Sequence, residues 1–208
     1  YVLCTFFRTK PSIVLYVIQE IHISLVFFFF LHMLEIYDGD DKVRFTLGIK
    51  GVKTLIAFGV NPSVANSVYN DPSNNKISDP TINQVRIRAK TLGYDGFVML
   101  NIYPQRATNP NNIDKTIDEI LHKKNLQHIE EILSEGDCLI WGAWGNIVES
   151  RSFLKRVCLK GIVEIAKKYN VKWKCIGPIT KKGNPHHPLY LSKNLPLVDF
   201  DIDAYMKR

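Results

Sequence analysis

The chain has few cysteines, and none of them forms a pair suited to metal binding or redox chemistry. Its four cysteines, Cys4, Cys138, Cys158 and Cys175, are isolated and form no C-x-x-C motif. This argues against a zinc knuckle, a dithiol redox centre and an iron–sulfur cluster, and we expect neither a metal nor a cofactor. Cys138 and Cys175 lie in apolar runs, where a thiol usually behaves as a small buried hydrophobe. Reduced thiols of this kind favour a cytoplasmic location.

Two common catalytic signatures are also missing. The turn at Gly59 is not a Walker loop, because no Gly-Lys-Ser/Thr follows it. Ser63 does not stand in the Gly-x-Ser-x-Gly pattern of a nucleophile elbow. The polar loops contain no paired carboxylates placed for acid–base chemistry, since Asp79 is predicted to cap a helix. The sequence therefore gives no support to hydrolysis by a carboxylate base.

Acidic residues are fewer than basic ones. The 208 residues include 27 Lys and Arg against 20 Asp and Glu, a formal net charge of +7. This balance favours an anionic partner such as a nucleic acid or a nucleotide. The length predicts one domain. A content of 46% hydrophobic and 23% charged residues excludes collagen-like and wholly disordered chains.

Residues 1–32 differ in composition from the rest of the chain, with six of its eleven phenylalanines. Glu20 lies within the apolar stretch 13–34, which makes a poor membrane span, and no small-residue cleavage site of a secretory signal is present. We expect Met33 to be the natural start and residues 1–32 to come from translated upstream DNA or an over-extended reading frame. Residues 33–208 then form a single α/β domain with a net charge of +6, and membrane association is expected only if residues 1–32 are genuine.

Short apolar runs predict a sheet. Continuous runs typical of strands buried on both faces occur at 54–58, 96–100, 138–141 and 173–176. The alternating segment 43–47 predicts a half-buried strand, which a turn at 48–51 would join to 54–58 as a hairpin. The sequence thus predicts four inner strands plus an N-terminal hairpin strand.

Helical periodicity predicts three helices between these strands, at 79–92, 114–135 and 147–169. Asp79 and Pro80 form a start signal, Gly93 and Gly136 form stop signals, and Gly161 is a residue at which the third helix could break. Strands alternating with helices predict an α/β fold, a three-layer α/β/α sandwich with a mostly parallel four-stranded sheet and right-handed crossovers.

A polar segment rich in Gly, Pro and Asn follows each of the four buried runs. These segments are 59–63, 101–110, 142–145 and 177–191. Ligands of open α/β sheets bind outside the carboxyl ends of the strands, so we expect the four segments to meet at one crevice.

Individual residues in these segments have both a functional and a plain structural interpretation. Gly59 belongs to a turn, whose backbone amides could face a ligand or could have only a structural role. Asn101 could read the edge of a base or cap its strand. Tyr103 could stack on a base or lie in the core, and Arg106 could hold a phosphate or lie in solvent. His187 could donate to an anion, although a lone histidine is usually structural.

The order of the motifs resembles a known family. The residues that carry the resemblance are Gly59-Val-Asn-Pro-Ser-Val-Ala, Asp79-Pro-Thr, Asn101 through Arg106-Ala-Thr, Trp141-Gly and Thr180-Lys-Lys-Gly-Asn-Pro-His-His-Pro-Leu-Tyr-Leu191. Over roughly residues 40–195 the chain resembles the bacterial and phage domain-of-unknown-function family 1643. More distantly, the same landmarks resemble the uracil-DNA glycosylase superfamily, which implies a glycosylase-like sandwich.

The glycosylase resemblance implies roles for residues by position. Asn61 would position a water molecule and His187 would donate a hydrogen bond to the leaving base, which makes these two the catalytic candidates. Tyr103 would stack the base, Asn101 would read its Watson–Crick edge, and Arg106 would hold backbone phosphate. The remaining substrate-contact candidates are Gly59, Pro62, Ser63, Thr108, Trp141, Gly142, Lys181 and Pro188.

The sequence departs from the glycosylase pattern at two places. Asn61 is an amide, which can orient a water molecule but cannot take its proton, and Leu189-Tyr190 replaces a Ser-rich DNA-probing loop. Two functions stay open: an enzyme that acts on a nucleobase or N-glycosidic bond in DNA or in a nucleotide, and a non-catalytic nucleotide or nucleic-acid binding module. A purely structural role is less attractive, because four polar loops at strand ends serve no packing purpose.

Overall fold

The computed structural model of the chain describes residues 34–71, 76–77, 79–136, 138–192 and 194–208. The expectations for residues 1–32 and for a start at Met33 lie outside these residues. In the described part of the chain, no helix combines the length and the apolar character needed to cross a bilayer.

Most strands of the described residues join in one mixed sheet. The strands are β1 (Leu34–Gly39), β2 (Arg44–Lys50), β3 (Thr54–Gly59), β4 (Tyr69–Asp71), β5 (Lys76–Ile77), β6 (Gly96–Asn101), β7 (Leu139–Gly142), β8 (Lys172–Ile176) and β9 (Leu197–Asp199). Seven of them form a sheet of order β1-β2-β6-β3-β7-β8-β9, and β4 pairs with β5 separately.

The predicted α/β class is confirmed, and the sheet is wider than the four strands expected. The inner strands β6, β3, β7 and β8 run parallel to one another. Antiparallel strands flank them, with β2 and β1 on one side and β9 on the other. The short, half-exposed sequences of β1 and β9 lack the apolar runs that marked the inner strands, so these edge strands were not predicted.

The predicted hairpin between β2 and β3 is wrong. Strand β2 pairs with β1 and β6, and β6 lies between β2 and β3. The connection crosses the start of β6, where the Asp95 carboxylate accepts hydrogen bonds from the backbone N–H groups of Val52 (3.1 Å) and Lys53 (2.7 Å). Residues 51–53 are therefore a crossing held by β6 rather than a tight turn.

The first helix matches its prediction. Helix α1 (Pro80–Thr91) begins after Asp79, whose Oδ1 accepts from the N–H groups of Thr81 (2.7 Å) and Ile82 (3.1 Å). After it, Gly93 adopts φ +79°, which a glycine tolerates without strain. The capping aspartate, the proline and the glycine were sufficient to predict where this helix begins and ends.

The second helix starts later than expected. Helix α2 (Glu119–Ser134) is capped by Asp118, whose Oδ1 accepts from Leu121 N–H at 2.9 Å, so residues 114–118 precede it as a loop. The sequence offers aspartates at 114 and 118, and periodicity alone favoured the earlier one. The predicted end before Gly136 is confirmed.

The third helical segment breaks at a different place. A π-helical turn (Leu154–Leu159) leads directly into α3 (Lys160–Lys168), and the chain is extended at Arg151 instead of breaking at Gly161. A Cβ on Gly161 would lie 3.0 Å from Leu126 Cδ1 of α2. Gly161 therefore allows two helices to approach closely. The chain ends with the short helix α4 (Ile202–Met206).

Helices cover both faces of the sheet. Because side chains alternate along a strand, Ile56 and Phe58 point to one face of β3 while Leu55 and Ala57 point to the other. The first face packs against α2 and α3, and the second packs against α1. This arrangement leaves the carboxyl ends of the inner strands free to form a crevice beside the start of α1.

Candidate functional site

One cavity of about 370 Å³ lies at the carboxyl ends of the inner strands, a size suited to a small ligand. All four polar segments contribute to its wall, together with the start of α1 and one residue of β2. Its wall includes Gly59, Asn61, Ser63, Asp79, Thr108, Trp144, His187 and Tyr190, with Arg44 from β2. Chain segments that are distant in sequence thus share one concave surface.

Asn61 presents a fixed acceptor at this cavity. Its Nδ2 donates to the carbonyl oxygens of Pro62 (3.0 Å) and Ala107 (2.8 Å), and these bonds occupy both amide protons. Within the described part of the chain, Oδ1 accepts no hydrogen bond, so it is the amide atom left for a ligand or a water molecule. Pro62 itself is buried and does not line the cavity.

His187 presents a fixed donor. Its Nδ1 accepts from Leu189 N–H at 3.4 Å, which assigns the ring proton to Nε2. Burial lowers the pKa of His187, an effect that the nearby Asp79 charge only partly opposes, so the imidazole is neutral at pH 7. Gly145, with φ +61°, makes room for the histidine, because a Cβ there would lie 3.1 Å from His187 Cβ. A neutral N–H donor suits an oxygen or nitrogen that gains negative charge.

Asn101 is fully buried at the end of β6, and neither atom of its side-chain amide has a hydrogen-bond partner. A Cβ on Gly59 would lie 3.4 Å from Asn101 Oδ1 and 2.6 Å from Met99 Cε. Gly59 and Met99 both line the cavity, so the Asn101 amide lies directly behind its wall. An unpartnered buried amide costs about 1–3 kcal/mol, which a ligand that reaches it would recover.

Two charged residues of the cavity were missed as site residues. Asp79 is 9% exposed and Arg44 is 3% exposed, and both line the wall. Arg44 Nη1 donates to Ala65 O at 3.1 Å, while its Nε has no partner. Burial lowers the pKa of Arg44 to about 10, so the guanidinium remains charged. The Asp79-Pro-Thr motif was recognised as a helix cap and as part of the family resemblance but was given no role at the site, and an arginine in a strand carries no local signal.

Several predicted contact residues are not brought to the cavity. Tyr103 is fully buried, its ring packs edge-on against Phe153 at 5.2 Å, and its hydroxyl oxygen accepts from Asp118 N–H at 3.0 Å. Trp141 is buried in the core that faces α1. The wall also lacks six further predicted residues, Pro62, Asn101, Arg106, Gly142, Lys181 and Pro188. A tyrosine held in the core cannot stack on a ligand base, so the role expected for Tyr103 is corrected.

Arg106 stabilises the loop that carries Asn61 through hydrogen bonds. Its side chain donates to Asp40 O (2.7 Å), Ser63 O (2.6 Å), Ala65 O (3.2 Å), Tyr37 Oη (2.9 Å) and Asn66 Oδ1 (2.7 Å). It lines a shallower depression next to the main cavity. Because these bonds occupy its donors, Arg106 holds protein oxygens where the resemblance implied a phosphate.

We expect Arg106→Ala to lower the free energy of unfolding by about 2 kcal/mol, because it leaves several carbonyl oxygens without their charged donor. Arg106→Lys should restore little of this, since lysine lacks the planar fork of donors. Urea unfolding measures both variants. Loss of polyanion binding with unchanged stability would instead assign Arg106 to a phosphate.

We expect the protein to lose stability between about pH 7 and pH 5. Burial lowers the pKa values of His122 and His187 in the folded state, so below about 6.5 the unfolded chain binds more protons and is favoured. The free energy of unfolding should therefore rise with pH across this window. Urea unfolding of the wild type and of His122→Gln at several pH values tests this. The free energy of unfolding of the variant should depend less steeply on pH than that of the wild type. Equal pH dependence in both would contradict a lowered pKa of His122 as a cause.

The fold and the cavity define an α/β protein with a ligand-sized crevice at the carboxyl ends of parallel strands. A family model described as "Protein of unknown function (DUF1643)" matches residues 44–189, which is 146 of the 208 residues. The chain belongs to this family. No curated protein and no solved structure matches the chain. In the described part, no group of three or more His, Cys, Asp or Glu side chains could hold a metal ion.

Proposed function

We propose that the protein is a hydrolase that acts on the N-glycosidic bond of a nucleobase, in DNA or in a nucleotide. The observation that carries this proposal is the joint placement of a fixed acceptor, Asn61 Oδ1, and a fixed neutral donor, His187 Nε2–H, on the wall of one cavity. Hydrolysis of this bond needs one group for water and one for the departing base.

The roles follow from the chemistry of the two groups. Asn61 Oδ1 accepts a hydrogen bond from the attacking water and so orients its oxygen towards the sugar carbon. As the bond between sugar and base breaks, the bonding electrons move onto the base. His187 Nε2–H then donates to the atom where this negative charge collects, without giving up its proton.

Aromatic surface for a flat ring comes from a residue that the sequence did not single out for this role. Tyr190 lines the cavity with 77% of its surface exposed, whereas Trp144 is fully buried. Tyr190 is 5.8 Å from the His187 ring, measured between ring centroids. We assign to Tyr190 the stacking role that the buried Tyr103 cannot perform.

The Asn101 amide also fits a base ligand. An amide offers a donor pair and an acceptor, which complement the mixed edge of a nucleobase. Met99 lines the cavity, and its Cε lies near Gly59, as Asn101 Oδ1 does. Methionine is unbranched and flexible, so a bound base can reach Asn101 when the Met99 thioether changes rotamer.

Base release from defined substrates tests the proposal. The substrates are oligonucleotides that contain uracil or a modified base, and nucleoside monophosphates, with the freed base detected by chromatography. We expect release by the wild type that is lost in Asn61→Ala and in His187→Ala. A folded wild type that releases no base from any of them contradicts the hydrolase.

A non-catalytic binding module is the second candidate, favoured by Asn61, whose amide cannot accept a proton from water. In that case a substrate binds without product. The net charge of +7 supports a polyanionic ligand. A gel shift measured at several salt concentrations should then show affinity that falls steeply as salt rises.

A further inference from the structure

The cavity contains a carboxylate with one oxygen fixed and one oxygen open. Among the described residues of its wall, Asp79 is the only acid. Its Oδ1 accepts the two backbone hydrogen bonds that cap α1, whereas its Oδ2 accepts none from any described residue. Helix capping thus occupies Oδ1 of the carboxylate and leaves Oδ2 for a ligand.

Two positive features lie close to Asp79. The N–H groups at the start of the twelve-residue α1 donate to its carboxylate, and the buried Arg44 guanidinium lies on the same cavity wall. In the described part of the chain no ion pair joins Arg44 to Asp79, and Arg44 Nε has no partner. Two buried charges that face one cavity without pairing are suited to a ligand that places polar groups between them.

We propose that the Asp79 carboxylate faces the sugar carbon of the substrate and is the catalytic base that Asn61 cannot be, an inference that rests on the proposed hydrolysis of an N-glycosidic bond. The water oxygen forms a bond to the sugar carbon while the bond from that carbon to the base nitrogen breaks. The bonding electron pair leaves with the base. Asp79 Oδ2 takes one proton from the water, and that proton passes through solvent to the base anion. The products are the free base and a sugar hydroxyl.

The charge of Asp79 has a second effect on the same step. Positive charge develops on the sugar as the base departs, and a nearby carboxylate stabilises it. His187 lies close enough to feel the charge of Asp79. The cavity thus places a negative group for the sugar beside a neutral donor for the base.

Asp79→Asn separates this role from helix capping, because asparagine caps a helix as well as aspartate does but carries no charge. We expect kcat for base release to fall by about 100-fold or more, with KM within about threefold and an unchanged melting temperature. The matched control is Asp118→Asn, which changes the cap of α2 outside the cavity and should leave all three values unchanged. An Asp79→Asn variant with wild-type kcat overturns the proposal.

Binding of charged and neutral sugar analogues gives a readout that needs no turnover. The probes are oligonucleotides with a cationic pyrrolidine or a neutral tetrahydrofuran abasic site, and the monomer pair iminoribitol and anhydroribitol. In at least one pair, we expect the wild type and Asp118→Asn to bind the cationic analogue at least about tenfold more tightly than its neutral counterpart. Asp79→Asn should lose this preference. A wild type that prefers neither cation, or a preference that survives Asp79→Asn, overturns the placement of Asp79. A preference lost in Asp79→Asn, without base release by the wild type, upholds the placement and contradicts the hydrolase instead.

Discussion

Replacing His187 by alanine is expected to lower the rate of base release by about 100-fold or more. The variant removes a side chain of the cavity wall whose neutral Nε2–H is fixed by the hydrogen bond between its Nδ1 and Leu189 N–H. Negative charge on the departing base would then lose this donor. Steady-state kinetics on the substrate that the wild type cleaves fastest measures the effect, which should fall on kcat more than on KM.

The matched control for this variant is His186→Ala. His186 is the neighbouring residue and lies outside the cavity wall, so its removal should change kcat by less than about twofold. Equal losses in both variants would point to general disturbance of the loop. Unchanged kcat in His187→Ala would contradict the assigned role.

Replacing Trp144 by alanine is expected to lower the free energy of unfolding by about 3–5 kcal/mol. Trp144 is fully buried and its ring packs against Trp173 (5.9 Å), Phe200 (6.0 Å) and Tyr205 (5.8 Å), so the variant leaves a large hole among aromatic rings. A loss of this size is a large part of the 5–15 kcal/mol that is typical of folded domains. Urea unfolding measures it.

Two further variants make the Trp144 result specific. Trp144→Phe retains an aromatic ring and should lose much less stability than Trp144→Ala. Ile120→Ala, at a position on α2 that is 85% exposed, should change the free energy of unfolding by less than about 0.5 kcal/mol. A Trp144→Ala variant within 1 kcal/mol of the wild type would show that the aromatic cluster does not pack as described.

Local signals predicted local structure well. The start and end of α1 follow from Asp79, Pro80 and Gly93, because each of these residues has a conformational preference that needs no distant partner. The start of α2 was misplaced, since Asp118 caps it and not the earlier aspartate at 114. Strand order was the weakest expectation: β6 enters between β2 and β3, and nothing in residues 43–58 encodes a neighbour forty residues away.

The candidate site was predicted where topology determines it and missed where packing determines it. Asn61 and His187 follow parallel strands, so the rule that ligands bind at the carboxyl ends of strands placed both correctly on one wall. Tyr103 also follows such a strand, but its side chain turns into the core. Arg44 reaches the cavity only because β2 lies beside β6, a pairing that the sequence does not reveal.

Crystal structures of the protein soaked separately with uracil, cytosine, adenine and guanine test the central claim most directly. We expect one of these bases to lie flat in the cavity between Asn61 and Tyr190, with an oxygen or nitrogen within hydrogen-bond distance of His187 Nε2. A cavity that stays empty with all four bases, or bases bound only at other places on the surface, would contradict the account.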